Sequence, residues 1–296
     1  MKTSLCNSSL STGFWLIALD IDGTVLDSRK TVPEGVIRAA AQAARMGKTL
    51  VFCSGRSVSE MEEVHFLLPM IRYAVFSSGA GIYDYAKRQA FELRGLSRKQ
   101  TCAILAVAQR REIMPHLSFA GRDVIQESHL QNLEHYHMGV YRPMYEKVMT
   151  RVEDIFAYGA SCRETPLKLN LYHADPGERE KTRRELCGLD LEKVDSEVSS
   201  LECSASGVDK GQGLLRLCRR LGIPAEGCIA VGDGENDLPM LRAAGMGIAM
   251  GNASERVRAA ADRVVPDLDH GGCALAIRLL MGEEPQEDAF GPETGF

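Results

Sequence analysis

Apolar, strand-like runs alternate with helical patterns at the start of the chain, and this alternation limits the fold more than any other feature. The runs are those at residues 14–19, 48–55 and 73–79. Helical patterns separate them at 31–47 and 57–68. In the second pattern Ser57 and Glu60 have the spacing of a capping box, and a plain surface turn is the alternative. A β-α-β-α-β order predicts a parallel sheet with right-handed crossovers.

The same alternation returns near the end of the chain, whereas the middle differs. Helical and strand-like segments follow one another at 209–222, 228–234, 236–245, 246–250 and 254–262. In the middle, 81–93 has the pattern of a hairpin, and 166–174 alternates strictly between apolar and polar residues, as in a sheet with one covered face. The sequence therefore predicts a core of residues 1–83 and 200–296, with an α+β domain inserted at 84–199.

Composition excludes several classes of protein. A chain of 296 residues is long enough for two domains, and its net charge of −5 is too small to indicate nucleic-acid binding. No run approaches the roughly 18 apolar residues of a membrane helix. None of the nine cysteines forms a C-x-x-C pair, which favours a reducing cytoplasm. We also expect a loose polar leader at 1–12 and a disordered tail at 282–296, and we leave the oligomeric state open.

The stretch LIALDIDGTVLDS, residues 16–28, raises a chemical question. A buried strand ends in two aspartates, Asp20 and Asp22, although like charges repel and desolvation adds to the cost. A cation, or a reaction that uses both groups, would explain the pair.

Three other predicted strands also end in polar residues. These endings are Ser54-Gly55-Arg56, Ser77-Ser78-Gly79-Ala80 and the segment 233–237. Because the carboxyl ends of parallel strands meet at one edge of a sheet, all four endings should converge there. Asp20, Asp22 and Asp233 would then supply oxygen ligands for Mg²⁺.

The same edge could carry out group transfer. If the backbone turns at Gly23, one aspartate can act as a nucleophile and the other as a proton donor. Ser54, Lys210 and backbone amides at helix starts could hold the outer oxygens of a phosphoryl group.

Four segments together resemble the motifs of the haloacid dehalogenase superfamily of phosphohydrolases. In order, they are DIDGT, Ser54 in CSGR, Lys210 in GVDKG, and GDGENDLPM. The later AGMGIAMGNA and the position of the insertion are similar to the Cof-type subgroup, which has a large mobile C2-type cap. This resemblance implies an α/β fold, with a Rossmann-like doubly wound parallel sheet as core and an inserted α+β cap domain.

The resemblance also implies roles for individual residues. Asp20 would be phosphorylated, and Asp22 would donate a proton to the leaving group, then activate water, and bind Mg²⁺ through its backbone carbonyl. Thr24 would orient Asp22, and Asp233 would bind the metal. The remaining implied residues are Ser54, Gly55 and Lys210 at the phosphoryl group, Asn236 and Asp237 in support, and Asn252 lining the site. Ser78 departs from the Asn-Gly-Ala of many Cof-type sequences, which leaves a substrate contact in doubt.

Other interpretations of single motifs are weaker. An EF-hand loop at 20–31 would need Gly and Glu where the chain has Val25 and Thr31. The segment GMGIAM lacks the third glycine of a dinucleotide fingerprint. The histidines of SHLQNLEHYHMG have no ligand spacing and are better explained by packing or solvation: they are His129, His135 and His137. Arg56 could contact substrate or form a structural ion pair.

The predicted function is a Mg²⁺-dependent phosphatase that hydrolyses small phosphorylated metabolites through an aspartyl-phosphate. A phosphotransferase or mutase, and a non-catalytic phospho-ligand binder, are the alternatives.

The strand at 167–172 adds one expectation about specificity. Its leucines, Leu167, Leu169 and Leu171, share a face that should pack on the helix predicted at 98–111. Lys168, Asn170 and Tyr172 share the other face, which meets either bulk water or the catalytic cleft. If it meets the cleft, it would help to select the substrate.

Overall fold

The computed structural model describes residues 13–283. The strands, in chain order, are β1 (Leu16–Leu19), β2 (Thr49–Cys53), β3 (Tyr73–Phe76), β4 (Gly81–Asp84), β5 (Gln89–Phe91), β6 (Met114–Ser118), β7 (Asp123–Gln126), β8 (Met149–Val152), β9 (Lys168–Tyr172), β10 (Leu191–Asp195), β11 (Ser200–Ala205), β12 (Cys228–Gly232), β13 (Met246–Ala249) and β14 (Arg263–Val264). The α-helices are α1 (Glu34–Arg45), α2 (Glu62–Leu67), α3 (Arg98–Arg110), α4 (Glu127–Gln131), α5 (Arg142–Val148), α6 (Ile155–Ser161), α7 (Arg179–Glu185), α8 (Lys210–Leu221), α9 (Leu238–Ala243), α10 (Glu255–Ala260) and α11 (Gly272–Leu280).

The core sheet has eight strands in the order β14-β13-β12-β1-β2-β3-β4-β5. The six strands from β14 to β3 are parallel, and β4 and β5 add an antiparallel edge. β1 lies between β12 and β2, with Leu16 in register with Cys228 on one side and Thr49 on the other. The carboxyl ends of β1, β2 and β12 therefore meet at the middle of one sheet edge.

Helices cover both faces of this sheet. Successive side chains of β1 point to opposite faces and all are apolar, so both faces must be shielded from water. Ile17 and Leu19 belong to the cluster formed with α1 and α11. Leu16 and Ala18 belong to the cluster formed with α8 and α9. This double winding confirms the predicted core architecture.

A second sheet of six strands, in the order β10-β11-β9-β6-β7-β8, lies in the middle of the chain. All of its pairs are antiparallel except β7 with β8. Leu169 and Leu171 of β9 pack with Ile104 of α3, as the alternation predicts. Leu167 instead packs in the cluster that contains α1 and α11. We call the segment that carries this sheet the cap.

Sheet membership corrects both predicted limits of the insertion, 84 and 199. The hairpin of β4 and β5 pairs with β3 and therefore extends the core sheet. β11 pairs with β9 and β10 and therefore belongs to the cap. We propose that the cap runs from about residue 92 to about residue 206.

Two further predictions concern local structure and termini. Ser57 and Glu60 make both bonds of a capping box: the Ser57 N–H donates to Glu60 Oε2 at 2.8 Å, and the Glu60 N–H donates to Ser57 Oγ at 3.3 Å. Ser57 precedes a 3₁₀ turn, Ser59–Met61, that contains Glu60, and α2 begins only at Glu62. Within 13–283, no helix has the length and apolar character needed to cross a membrane. The predicted leader at 1–12 and all but the first two residues of the predicted tail lie outside the described residues.

Candidate active site

The turn after β1 places the carboxylates of Asp20 and Asp233 side by side, although the two residues are distant in the chain. The Asp20 N–H donates to the Val231 carbonyl on β12, at 3.0 Å. The chain then turns tightly over Ile21–Val25, where Gly23 has a φ of +83°. A Cβ on Gly23 would collide with the Asp233 carboxylate. Glycine is therefore needed both for the backbone conformation and for the close approach of Asp233.

A buried lysine joins these carboxylates. Lys210, the first residue of α8, donates from Nζ to Asp20 Oδ1 at 2.7 Å and to Asp237 Oδ1 at 2.5 Å. Asp237 Oδ2 accepts the backbone N–H groups of Asp233 and Gly234, at 3.0 and 2.8 Å. Asp237 thus holds both the lysine and the Asp233 loop, which is the supporting position that the resemblance predicts.

The charges of this cluster fit a divalent cation. Carboxylate oxygens of Asp20, Asp233 and Asp237 all lie within 4.8 Å of one another, beside the single ammonium of Lys210. Burial and the charge of Asp237 raise the pKa of Asp20 well above its usual range, and raise that of Asp233 to about 6. Mg²⁺ prefers oxygen ligands and would relieve this repulsion. The side chain of Asp22 is not in the cluster, and binding of the metal through the Asp22 backbone carbonyl, as the resemblance implies, stays a prediction.

Asp22 faces two cations instead. Arg56 donates to both of its oxygens, from Nε at 2.7 Å and from Nη2 at 2.8 Å, and Lys30 Nζ donates to Oδ1 at 3.1 Å. Burial opposes ionisation, but the charge of Arg56 lowers the pKa of Asp22 to about 2. Arg56 is therefore an ion-pair partner of Asp22, one of the two roles that the sequence left open.

Thr24 and Asn252, two other predicted site residues, contact Asp233 and the turn after β1 rather than Asp22. The Thr24 hydroxyl donates to Asp233 Oδ1 at 3.2 Å, which corrects its predicted contact with Asp22. Asn252 Nδ2 donates to the Gly23 carbonyl at 2.9 Å and to Asp233 Oδ2 at 3.2 Å. Asn252 therefore lies beside the proposed metal ligand Asp233, and its predicted role in lining the site stays a prediction. Both residues fix the Asp233 carboxylate next to Gly23.

A cavity of about 320 Å³ opens above these groups, between the core and the cap. The core residues around it include predicted site residues from three strand ends and α8: they are Asp20, Asp22, Ser54, Gly55, Lys210, Asp233 and Asn236. From the cap, Lys168, Asn170 and Tyr172 of β9 line the same cavity. The polar face of β9 thus meets the cleft and not bulk water.

Comparison with known proteins decides the family. The sequence profile of the haloacid dehalogenase-like hydrolases matches residues 17–277. The chain belongs to this family. This match confirms the resemblance to the family. Together with the relatives described next, it also confirms the fold class and shows that the chain is a phosphatase enzyme.

Relatives with full-length matches support the assignment. Phosphatase YwpJ of Bacillus subtilis is 29% identical over 291 residues, covering 90% of this chain and 99% of the relative. The 5-amino-6-(5-phospho-D-ribitylamino)uracil phosphatase YcsE of the same organism is 25% identical, covering 89% and 94%. A solved haloacid dehalogenase-like hydrolase from B. subtilis superposes with a TM-score of 0.80 at 26% identity, covering 89% of this chain and 99% of that one.

Sequence reasoning missed several residues that line the active-site cavity of this haloacid dehalogenase-like hydrolase. Lys30, Tyr141, Glu197 and Glu202 are among them. For Glu202 a signal existed, because β11 alternates polar and apolar residues as β9 does. Tyr141 ends a three-residue 3₁₀ turn and Glu197 lies in an irregular segment, and both are too short to show a period that indicates which way a side chain points.

Ser78, the departure from the Cof-type pattern, has a partner in the cap. Its hydroxyl donates to Glu202 Oε2 at 2.6 Å, and Glu202 Oε1 accepts from Lys168 Nζ at 3.0 Å. Lys168 Nζ also donates to the Gly55 carbonyl at 2.7 Å. Serine at this position therefore joins the core to the cap through a buried ion pair.

The histidines of the cap do not form a metal site with acidic or thiol ligands in the described chain. His129 and His135 line a separate cavity, together with His173. Within 13–283, the cluster of Asp20, Asp233 and Asp237 is the one group of three such side chains close enough to hold a metal. The packing or solvation role that the sequence favoured for these histidines stays a prediction.

Proposed function

We propose that this hydrolase is a Mg²⁺-dependent phosphatase that releases phosphate from small phosphorylated metabolites through an aspartyl-phosphate on Asp20. The observation that carries the proposal is the position of Asp20. It is buried at the floor of a cavity, hydrogen-bonded to Lys210 and close to the Asp233 carboxylate. The substrate named by relative YcsE is a small phosphorylated metabolite, which supports the same class here.

The residues suggest the following steps. The Asp20 carboxylate attacks phosphorus, the bond from phosphorus to the leaving oxygen breaks, and Lys210 neutralises charge on the phosphoryl group. Asp22 supplies the proton for the leaving oxygen, then takes a proton from the water that hydrolyses the aspartyl-phosphate. When bound, Mg²⁺ would be held by Asp20 and Asp233 and would offset the negative charge of the phosphoryl oxygens.

The pairing of Asp22 with Arg56 bears on these two proton transfers. An ionised Asp22 is the form that water activation requires, and Arg56 and Lys30 keep it ionised. Proton donation in the first step requires the opposite form. The substrate must therefore loosen this pairing when it binds.

Replacement of Asp20 tests the proposal. Asp20→Asn should abolish release of phosphate from p-nitrophenyl phosphate while the protein stays folded, because an amide is not a nucleophile toward phosphorus. Asp190→Asn is a matched control, since Asp190 is exposed on the cap. Beryllofluoride should label Asp20 in the wild type and no other carboxylate. Substantial turnover by Asp20→Asn, or full activity after exhaustive chelation, would overturn the proposal.

We also propose a cytoplasmic location. The eight cysteines of the described chain all have free thiols, which suits a reducing compartment.

A further inference from the structure

The two ends of the active-site cavity differ in character. At the core end lie Asp20, Asp233 and Lys210, where the proposed function places the phosphoryl group. The opposite wall comes from the cap, and the leaving group must lie against it. The cap residues on that wall include Tyr141, Tyr145, Asn170, Tyr172, Glu197 and Glu202. Their chemistry decides what kind of alcohol the phosphate ester can carry.

Every cation that lines the cavity is already paired with a carboxylate. Within the described residues, four such cations line it: Lys30, Arg56, Lys168 and Lys210. Lys30 and Arg56 both pair with Asp22, and Lys168 pairs with Glu202. Lys210 pairs with Asp20 and Asp237. Before substrate binds, each of these cations therefore already has a carboxylate partner.

Glu197, by contrast, forms no ion pair with a Lys, Arg or His side chain within residues 13–283. Its Oε1 accepts the Tyr141 hydroxyl at 2.6 Å, and Lys30 Nζ donates to the same hydroxyl at 3.4 Å. Glu60 also lines the cavity without a cation, but burial and the charge of Asp123 raise its pKa. The unpaired negative charge at the cap end therefore rests on Glu197.

Free hydrogen-bonding capacity at the same end belongs to acceptors. Asn170 Nδ2 donates to His116 Nδ1 at 3.4 Å and to the Tyr172 hydroxyl at 3.2 Å. Asn170 Oδ1 is buried and accepts nothing. A buried acceptor without a partner costs about 1–3 kcal/mol, but this oxygen has almost no accessible surface and is not open to a bound molecule. The acceptor that a bound molecule can reach at this end is therefore the Glu197 carboxylate, which calls for O–H or N–H donors.

We infer that Glu197 is a specificity-determining residue, and that the enzyme selects phosphate esters whose leaving group carries hydroxyl or amino donors and no negative charge. This inference rests on the proposed phosphatase function and narrows its substrate class. Esters of hydroxy acids and bisphosphates bring a second negative charge toward Glu197, whose own carboxylate forms no ion pair. Esters of polyols and of hydroxylated or aminated rings meet an acceptor that fits them.

Two matched pairs of compounds separate charge from shape. Sorbitol 6-phosphate and 6-phosphogluconate differ only at C1, and glycerol 3-phosphate and 3-phosphoglycerate differ in the same way, each with a CH₂OH group in one and a carboxylate in the other. Each compound is measured as a competitive inhibitor of p-nitrophenyl phosphate hydrolysis with Mg²⁺. The inhibition constant reports binding even for a compound that is turned over slowly.

In the wild type the uncharged member of each pair should bind about tenfold more tightly, the difference that about 1.4 kcal/mol of charge repulsion produces. Glu197→Gln keeps an acceptor for Tyr141 and removes the charge, so the ratio within each pair should fall to about twofold or less. Glu153→Gln makes the same change at an exposed cap position and should leave both ratios unchanged. Thermal melting of each variant verifies that it is folded.

The outcomes are distinct. Equal inhibition constants within each pair, a ratio that Glu197→Gln leaves unchanged, or no competition by any of the four compounds would each overturn this inference. A wild-type protein that releases no phosphate from p-nitrophenyl phosphate with Mg²⁺ would instead overturn the proposed function.

Discussion

The buried ion pair between Lys168 and Glu202 should stabilise the protein only as a pair. Its two side chains are 3% and 7% exposed, and the nitrogen and oxygen are 3.0 Å apart. Lys168→Met would leave the Glu202 carboxylate buried without its cation. Loss of one member of a buried pair costs about 3–5 kcal/mol, a large part of the stability of a typical domain. We expect a decrease of that size in the free energy of unfolding.

The double variant Lys168→Met/Glu202→Gln should recover much of this loss. Glutamine removes the buried charge and keeps an oxygen that can accept from Ser78. What remains lost is chiefly the charged hydrogen bond from Lys168 to the Gly55 carbonyl, worth about 1.5–3 kcal/mol. The double variant should therefore be more stable than Lys168→Met alone by about 2 kcal/mol.

Urea unfolding followed by fluorescence of the single tryptophan, Trp15, measures these differences in the core. Lys147→Met is the matched control: Lys147 of the cap also pairs with a core residue, Glu63, but both side chains are exposed. Its midpoint of unfolding should not change measurably. If the two substitutions at 168 and 202 destabilised the protein additively, to within about 0.5 kcal/mol, the argument from an unpaired buried charge would be refuted.

Three further predictions concern catalysis and the metal. Asp22→Asn should slow phosphorylation by sugar phosphates far more than by p-nitrophenyl phosphate, whose leaving group needs little protonation; equal losses in single-turnover measurements would reject the acid role. Asp233→Ala should weaken Mg²⁺ binding measured by calorimetry by at least about tenfold, and Ca²⁺ should inhibit the wild type, because its larger coordination shell misplaces the reacting groups; unchanged affinity would exclude Asp233 as a ligand. The pKa of Asp233 is raised to about 6, so the metal-free folded protein binds a proton on Asp233 more tightly than the unfolded chain does. The stability that results is present below about pH 4 and is lost as the pH rises through about 6. Added Mg²⁺ should therefore raise the melting temperature more at about pH 7.5 than at about pH 5, and equal shifts would contradict this linkage.

The part of the structure that follows local patterns was predictable. Apolar runs and helical periods specify the parallel core, because each element needs a covered face of a particular shape. Strand ends then bring Asp20, Ser54 and Asp233 to one edge, whatever the details of the loops. The alternation of β9 likewise predicted that Lys168 and Tyr172 share a face.

The remaining features depend on tertiary contacts that no local sequence pattern indicates. The hairpin of β4 and β5 has the same sequence character whether it joins the core sheet or the cap sheet, and only its pairing with β3 decides. The pairing of Arg56 with Asp22 depends on how two loops approach each other. Glu197 reaches the cavity from an irregular segment that packs against Tyr141. For Arg56 and Glu197 the energy comes from a partner that is distant in sequence.

The position of β1 between β2 and β12 has a consequence for biosynthesis. Leu16 and Cys228 are in register although the whole cap is translated between them. During translation β1 can pair with β2 early, whereas its other edge stays unpaired until β12 has left the ribosome. An exposed edge of this apolar strand is a site for wrong pairing with other chains. Chaperone protection of the nascent chain should therefore matter most before β12 emerges, and a chain truncated ahead of it would carry Asp20 without Asp233 and remain inactive.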